Sequence, residues 1–274
     1  MSNPVQSFLF GDADTVTDDL ATRELRLLAW NIQSPSLERA RRQLAWLYDR
    51  QANVLVLTEV KTGEAAAHIA KDLDSNGYQI ARPPHGPDDK YVNLIATKGY
   101  RARPLALAFT TPRLSGVRLD THLGDVDVIA LYSLTNGMSA DSSRNRAAFQ
   151  SEVLRALETR IRDEPDIPLL LTGDFNVLEP GHIPPCDLFE EHDYAFYRAL
   201  EGLGLFDAYR ALQPDGTDVT WLGPKGGQRL DHGFASPSLA GRGQLAACGY
   251  DHRARTSGLS DHSAFTLTLG GITQ

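Results

Sequence analysis

The chain has 274 residues, 42% hydrophobic and 23% charged, with a formal net charge of −8 at pH 7. That length suits one large domain with a sizeable core, and the acidic total argues against tight, nonspecific nucleic-acid binding. No run of 18 apolar residues is present and the two cysteines cannot build a disulfide framework, so a cytoplasmic monomer without membrane partners is expected.

Residues 1–23 are polar, with Asp12, Asp14, Asp18 and Asp19 interrupting any period, and read as a flexible leader. A first strand is expected over 25–31, followed by a helix capped by Ser34 with Pro35 in its first turn. Leu37, Ala40, Leu44, Leu47 and Tyr48 carry the helical spacing. A strand at 53–58 and a helix at 64–75, with Ala66, Ile69, Ala70 and Leu73 on one face, come next. Short strands near 91–97, 104–109, 115–121 and 125–132 lack helical periodicity and predict an antiparallel meander. A long helix over 143–162 buries Phe149, Val153, Leu154, Leu157 and Ile161 and feeds a strand at 167–173. A loop at 179–193, a short helix at 194–204 and strands near 230–235, 245–249 and 264–269 complete the order. One domain over 24–274 is the economical reading. Two mixed sheets packed face to face with helices outside satisfy the pattern.

Five apolar runs end in polar groups: Trp30-Asn31, Leu57-Thr58-Glu59, Gly173-Asp174-Phe175-Asn176, Arg229-Leu230-Asp231 and Ser260-Asp261-His262. One Asp after a strand is ordinarily a turn former or helix cap. Five compatible ends could converge into a site for a divalent cation and a phosphate. Glu59 closes a continuous apolar run, where an unpaired carboxylate is expensive and needs either a basic partner or a metal. Asp174 and Asn176 would project to one side if the backbone stays extended, letting the carboxylate take a proton from water while the amide fixes that water or a phosphate oxygen. Asp231 is the natural partner for the imidazole of His262, fixing its tautomer and favouring the charged ring. His232 would face away from that pair and reads as packing.

In this order and spacing the motifs, which span 26–269, resemble the endonuclease/exonuclease/phosphatase superfamily. Thr58-Glu59-Val60-Lys61, and Thr220-Trp221 ahead of Arg229-Leu230-Asp231, are most similar to its exonuclease III and AP endonuclease branch. The resemblance implies a four-layer α/β sandwich. It also implies Mg²⁺, with Mn²⁺ as a substitute, held by Glu59 with Asn31 nearby and Asp261 as a second contact. Asp174 would activate the attacking water, Asn176 would position it or a phosphate oxygen, and His262, oriented by Asp231, would stabilise the transition state. Tyr132 falls on the phosphate side, and Lys61 and Trp221 on the substrate side. The implied reaction is Mg²⁺-dependent hydrolysis of DNA phosphodiesters, in repair. The alternative, motivated by the acidic total, is a small-molecule or lipid-headgroup phosphate.

The chain differs from that branch in having Gln33 after Asn31-Ile32, Tyr91-Val92-Asn93-Leu94-Ile95 in place of a Gly-rich strand, and Ser133-Leu134-Thr135-Asn136-Gly137 after Tyr132. Glu179, Asp187, Glu190, Glu191 and Asp193 would crowd a DNA backbone if their segment lined the groove.

Overall fold

Alternation along the central strands sends successive side chains into different cores. In the computed structural model, which describes residues 24–122, 124–135, 137, 139–223, 226–241 and 244–270, the order opens with β1 (Leu25–Asn31), α1 (Leu37–Asp49), β2 (Val54–Lys61), α2 (Glu64–Ser75), β3 (Gln79–Ala81) and β4 (Tyr91–Thr97). It continues with β5 (Arg101–Leu105), β6 (Leu114–Thr121), β7 (Gly124–Tyr132), α3 (Ala140–Asp163), β8 (Leu169–Asp174), α4 (Glu191–Gly202), β9 (Phe206–Asp207) and α5 (Ala208–Leu212). The last elements are β10 (Trp221–Gly223), β11 (Gly226–Gln228), β12 (Asp231–Ala235), α6 (Pro237–Gly241), β13 (Leu245–Asp251), α7 (Arg253–Thr256) and β14 (Ala264–Leu269). The expected leader over 1–23, and Asn136, lie outside the described residues.

One six-stranded sheet runs β13-β14-β1-β2-β4-β3 and the other β5-β6-β7-β8-β12-β9, while β10 and β11 form a separate hairpin. Between the sheets pack Leu27 and Ala29 of β1, Val54 and Val56 of β2, Val128 and Ala130 of β7, Leu170 of β8 and Phe265 of β14. The opposite faces carry Leu28, Trp30, Leu55 and Leu57 toward α1 and α2, and Ile129, Leu169 and Leu171 toward α3 and α4. The result is the four-layer α/β sandwich with mixed sheets. Each Leu, Val or Phe so buried contributes about 1.5–3 kcal/mol relative to leaving it exposed.

The parallel pairs are β1 with β2 and β7 with β8. Parallel neighbours end on the same edge, so Asn31, Glu59, Tyr132 and Asp174 are delivered to one rim of the sandwich.

Several expected boundaries shift. Ser36, not Ser34, caps α1: its hydroxyl accepts the Arg39 N–H, whereas Ser34 adopts φ 43° and turns toward Glu59. The strand expected at 104–109 lies at 101–105, on a sheet edge that tolerates Pro104, and Leu107 and Phe109 pack on the core from a loop instead. The helix expected at 194–204 begins at Glu191, because Glu190 and Asp193 form a reciprocal capping box. Helix α2 follows the expected pattern, and β5-β6-β7 form the expected antiparallel meander, but β4 is not part of it: it pairs with β2 and β3 in the other sheet. Among the described residues, no helix is long and apolar enough to cross a membrane.

Candidate active site

The rim is built from the turns that leave the strands. Gly173 adopts φ 137°, and a Cβ placed there would lie 2.2 Å from the Leu131 carbonyl oxygen, so β8 reaches its last residue only with glycine. Asp174 then stands beside Tyr132 on one side and Asp231 on the other. Strand β2 carries a bulge between Leu57 and Val60, where Glu59 takes φ 55°. A bulge re-aims a side chain that regular pleating would send elsewhere. Of five non-glycine residues at positive φ among those described, Gln33, Ser34, Glu59 and Asn176 all sit at this rim. Backbone strain of this kind, about 1–3 kcal/mol per residue, concentrates at functional sites.

Asp174 is buried and held from two directions. Its Oδ2 accepts the Asn31 Nδ2 at 2.8 Å and its Oδ1 accepts the Asn176 N–H at 3.0 Å. Burial raises its affinity for a proton, as does the neighbouring Asp231, while His262 and the two hydrogen bonds oppose that; the net shift is upward. His262 Nδ1 lies 2.8 Å from Asp231 Oδ2. Burial would favour the neutral ring, but the Asp231 and Asp174 carboxylates outweigh it and hold the imidazole protonated well above its ordinary range. Ligand atoms of Asp174, Asp231 and His262 all lie within 4.8 Å of one another.

The expected extended run from Asp174 to Asn176 is broken by the left-handed conformation of Asn176. Its side-chain amide donates to the Ser133 carbonyl at 3.3 Å, so its part in the site includes the backbone N–H on Asp174. Asn31 Oδ1 accepts the Gln33 N–H at 2.9 Å. Glu59 is half-buried, accepts the Ser34 hydroxyl at 3.1 Å and makes no ion pair among the described residues. Asp261 Oδ2 accepts the Trp221 indole N–H at 3.1 Å. The Trp221 ring is folded over its own hairpin, lying 2.2 Å from where a Cβ on Gly223 would stand. Tyr132 is buried, and burial together with the charges of Asp174 and Glu59 keeps its phenol protonated. Lys61 is exposed at the end of β2. His232 packs between Phe175 and Tyr197, as expected.

The donor set fits a hard divalent cation. Among the described residues, Asp231 Oδ1 and Asp261 Oδ1 are buried without a hydrogen-bond partner, and Glu59 makes no ion pair, its Oε1 meeting only the Ser34 hydroxyl. Buried carboxylate oxygens in that state are costly unless an ion or a protonated group meets them.

The acidic segment after Asn176 is partly turned inward. Glu179 pairs with Arg229 and Arg210, each at 2.6 Å, and Asp193 is buried against Arg146 at 2.6 Å. Asp187, Glu190 and Glu191 remain exposed.

Three residues escaped the sequence reading. Arg113 is half-buried with its guanidinium 4.3 Å from the Tyr132 ring centroid and 5.5 Å from that of Tyr91. Ser34 was read as a cap, and Thr220 carried no signal beyond its place before Trp221. Only contacts between segments distant in the sequence reveal them.

The fold is shared with solved structures. An AP endonuclease from Archaeoglobus fulgidus superposes with a TM-score of 0.72 at 21% identity, covering 90% of this chain and 100% of that one. A 3′ phosphatase, NExo, from Neisseria, bound to a product DNA hairpin, gives 0.71 at 19% identity over 89% of this chain and 99% of that one. A 3′-5′ exonuclease, NExo, from Neisseria meningitidis gives 0.72 at 20% identity over 89% and 99% of the two chains. No curated protein matches the sequence. The sequence itself matches the Endonuclease/Exonuclease/phosphatase family over residues 28–262, from the second half of β1 to His262. The chain therefore belongs to the Endonuclease/Exonuclease/phosphatase family, and is a metal-dependent phosphoric ester hydrolase.

Proposed function

We propose that the protein is a Mg²⁺-dependent phosphodiesterase that cleaves DNA, of the exonuclease III and AP endonuclease type, with a role in repair. The observation that carries the reading is the convergence on Asp174: two amide donors on its carboxylate, and the Asp231–His262 pair within 4.8 Å. Asp174, with its proton affinity raised toward neutral pH, takes a proton from the attacking water. Asn31 and the Asn176 N–H hold that carboxylate in one orientation, so little reorganisation accompanies the step. His262, kept protonated by Asp231, sets positive charge against the oxygens that gain negative charge in the transition state. Tyr132, neutral at working pH, offers its hydroxyl to a phosphate oxygen. Glu59 and Asp261, with the Asn31 oxygen nearby, would hold Mg²⁺, or Mn²⁺ in its place. When bound, the ion supplies Lewis-acid and template chemistry to the phosphate.

DNA as substrate is supported by the two kinds of similar fold, an AP endonuclease and a phosphatase bound to a DNA hairpin. On this chain it is supported by cations around Tyr132 and Tyr91, whose ring centroids lie 5.9 Å apart. Arg113 lies over that ring, Lys90 lies over the ring of Tyr91, and Lys61 pairs in register with Tyr91. Such cations favour a polyanionic strand over a single phosphate group. The net charge of −8 motivates the second reading, a small-molecule phosphate ester hydrolysed by the same groups.

The test is Mg²⁺-dependent cleavage of an abasic-site duplex, with bis-p-nitrophenyl phosphate in parallel and the Asp174→Asn protein as control. Duplex incision that disappears in the variant supports the nuclease. Cleavage of the small ester alone overturns the DNA assignment and keeps the chemistry.

A further inference from the structure

Asp231 opens β12 in one sheet, and His262 precedes β14 in the other, so their contact depends on how the two sheets are held together at this edge. We propose that Thr220 is a positioning residue that sets this pair; the inference rests on the reading of Asp231 and His262 as catalytic machinery.

Thr220 is fully buried and every polar atom it owns is engaged. Its hydroxyl oxygen accepts the backbone N–H of Leu230 at 3.0 Å and of Asp231 at 3.2 Å. Its carbonyl accepts the Ser263 N–H at 2.8 Å, and its own N–H donates to the Gln228 carbonyl at 2.9 Å. One residue thus grips the backbone at Asp231 and at the residue after His262. Trp221 extends the grip, bridging to His262 through the backbone and to Asp261 through its indole at 3.1 Å. The other restraints act on one partner at a time. Tyr250 donates to the Asp231 carbonyl, the Trp30 indole donates to the His262 carbonyl, and Ser260 accepts the His262 N–H.

Valine has the shape of threonine without the acceptor. It would leave two buried N–H groups unpaired, and the entry of β12 would shift to find other partners. A displacement of about 1 Å in a catalytic group costs on the order of 100-fold in rate. A residue that only stabilises the fold would change the unfolding midpoint and leave the pair unmoved.

The experiment compares Thr220→Val with Thr220→Ser, which keeps the oxygen. Readouts are kcat and KM for bis-p-nitrophenyl phosphate with Mg²⁺, and the downfield Nδ1 proton resonance of His262 in metal-free protein. Thr220→Val is expected to lower kcat about 10- to 100-fold with KM changed less than about twofold, and to shift or broaden the resonance. Thr220→Ser is expected to restore both. If Thr220→Val does not fold, Thr220→Cys, with its weak and longer-reaching acceptor, takes its place with the same outcomes. A folded variant with wild-type kcat and an unmoved resonance overturns the proposal, as does a Ser variant as impaired as the Val one. Asp231→Asn separates the two levels. If it turns over normally, the catalytic reading of the pair falls; if it is inactive while Thr220→Val is normal, only the role of Thr220 falls.

Discussion

Asn31 ends a strand of the first sheet and Asp174 ends one of the second, and the Asn31 side-chain amide donates to Asp174 Oδ2 at 2.8 Å across the gap. This bond links the two halves of the sandwich at the buried carboxylate proposed to accept the proton. Asp174→Asn is expected to lower kcat by about 10²- to 10⁴-fold, the range for losing a general base. An asparagine retains one oxygen for two donors, so one hydrogen bond is lost, at about 1–2 kcal/mol. Circular dichroism and urea unfolding check the fold. A protein that fails to fold would mean Asp174 serves the turn and not the chemistry.

Ser34 and Glu59 both sit at positive φ, and the Ser34 hydroxyl donates to Glu59 Oε1 at 3.1 Å. That contact fixes the carboxylate in one of its orientations. Ser34→Ala is expected to weaken Mn²⁺ binding about 10-fold by isothermal titration calorimetry, as loss of an outer hydrogen bond to a ligand commonly does. Glu59→Gln is expected to weaken it further. An unchanged titration for Glu59→Gln would remove it from the ligand set.

Gly173→Ala tests whether the approach of β8 to β7 requires glycine. The new methyl would meet the Leu131 carbonyl oxygen at 2.2 Å, and φ 137° is unfavourable for any L side chain. The two nearest atoms, the oxygen and carbon of the Leu131 carbonyl, are backbone in a parallel pair and cannot swing aside. A loss of about 3 kcal/mol or more in urea unfolding is expected, adding overpacking to strain.

How legible these relationships were depends on whether they are local. Buried apolar runs ending in Asn, Glu, Asp and His are local patterns, so the rim of the sandwich and its polar ends could be read directly. The span of α2 followed from the spacing of Ala66, Ile69 and Leu73. The start of α1 was misread because Ser34 and Ser36 are equally good caps, and a contact with Glu59, 25 residues away, decides between them. The hairpin of β10 and β11 was invisible because its strands are three residues long and rich in glycine. Arg113 over Tyr132 and Thr220 between the sheets depend on strand pairing, which no periodicity encodes. The acidic count of 179–193 suggested an exposed anionic face, but buried arginines on other elements neutralise Glu179 and Asp193.

Glu179 gives a pH dependence with a definite sign. Burial alone would raise its carboxyl, but hydrogen bonds and charge from Arg210 and Arg229 reverse this and hold it at about 2. The unfolded carboxyl titrates near about 4.3. A depressed acid contributes stability above its unfolded value and loses it as pH falls through the folded one. Stability should therefore decline between pH of about 4.5 and about 2, by on the order of 3 kcal/mol from this group. Glu179→Gln should be less stable at neutral pH, since Arg229 keeps only Asp207 as an ion-pair partner, yet show a shallower decline over that window. Equal slopes for both proteins in urea unfolding would show that Glu179 titrates normally.

Arg113 bears on the substrate. Its guanidinium lies 4.3 Å from the Tyr132 ring centroid and donates only long hydrogen bonds, 3.5 and 3.4 Å, to the Tyr132 and Ser133 carbonyls. No carboxylate pairs with it among the described residues, so its charge remains available beside Tyr132. If the substrate is a DNA strand, Arg113→Ala should reduce the slope of log affinity against log salt by about 1, the signature of one lost phosphate contact. Cleavage of bis-p-nitrophenyl phosphate should be nearly unaffected, because that ester has no neighbouring phosphate. Trp221→Ala offers the contrast. Its indole bond to Asp261 and its ring packed over Gly223 tie it to the site, so both substrates should suffer. A Trp221 variant impaired on abasic duplex alone would instead make that ring a DNA contact. An Arg113 variant with an unchanged salt slope would remove it from the strand path and turn the search toward single-phosphate substrates.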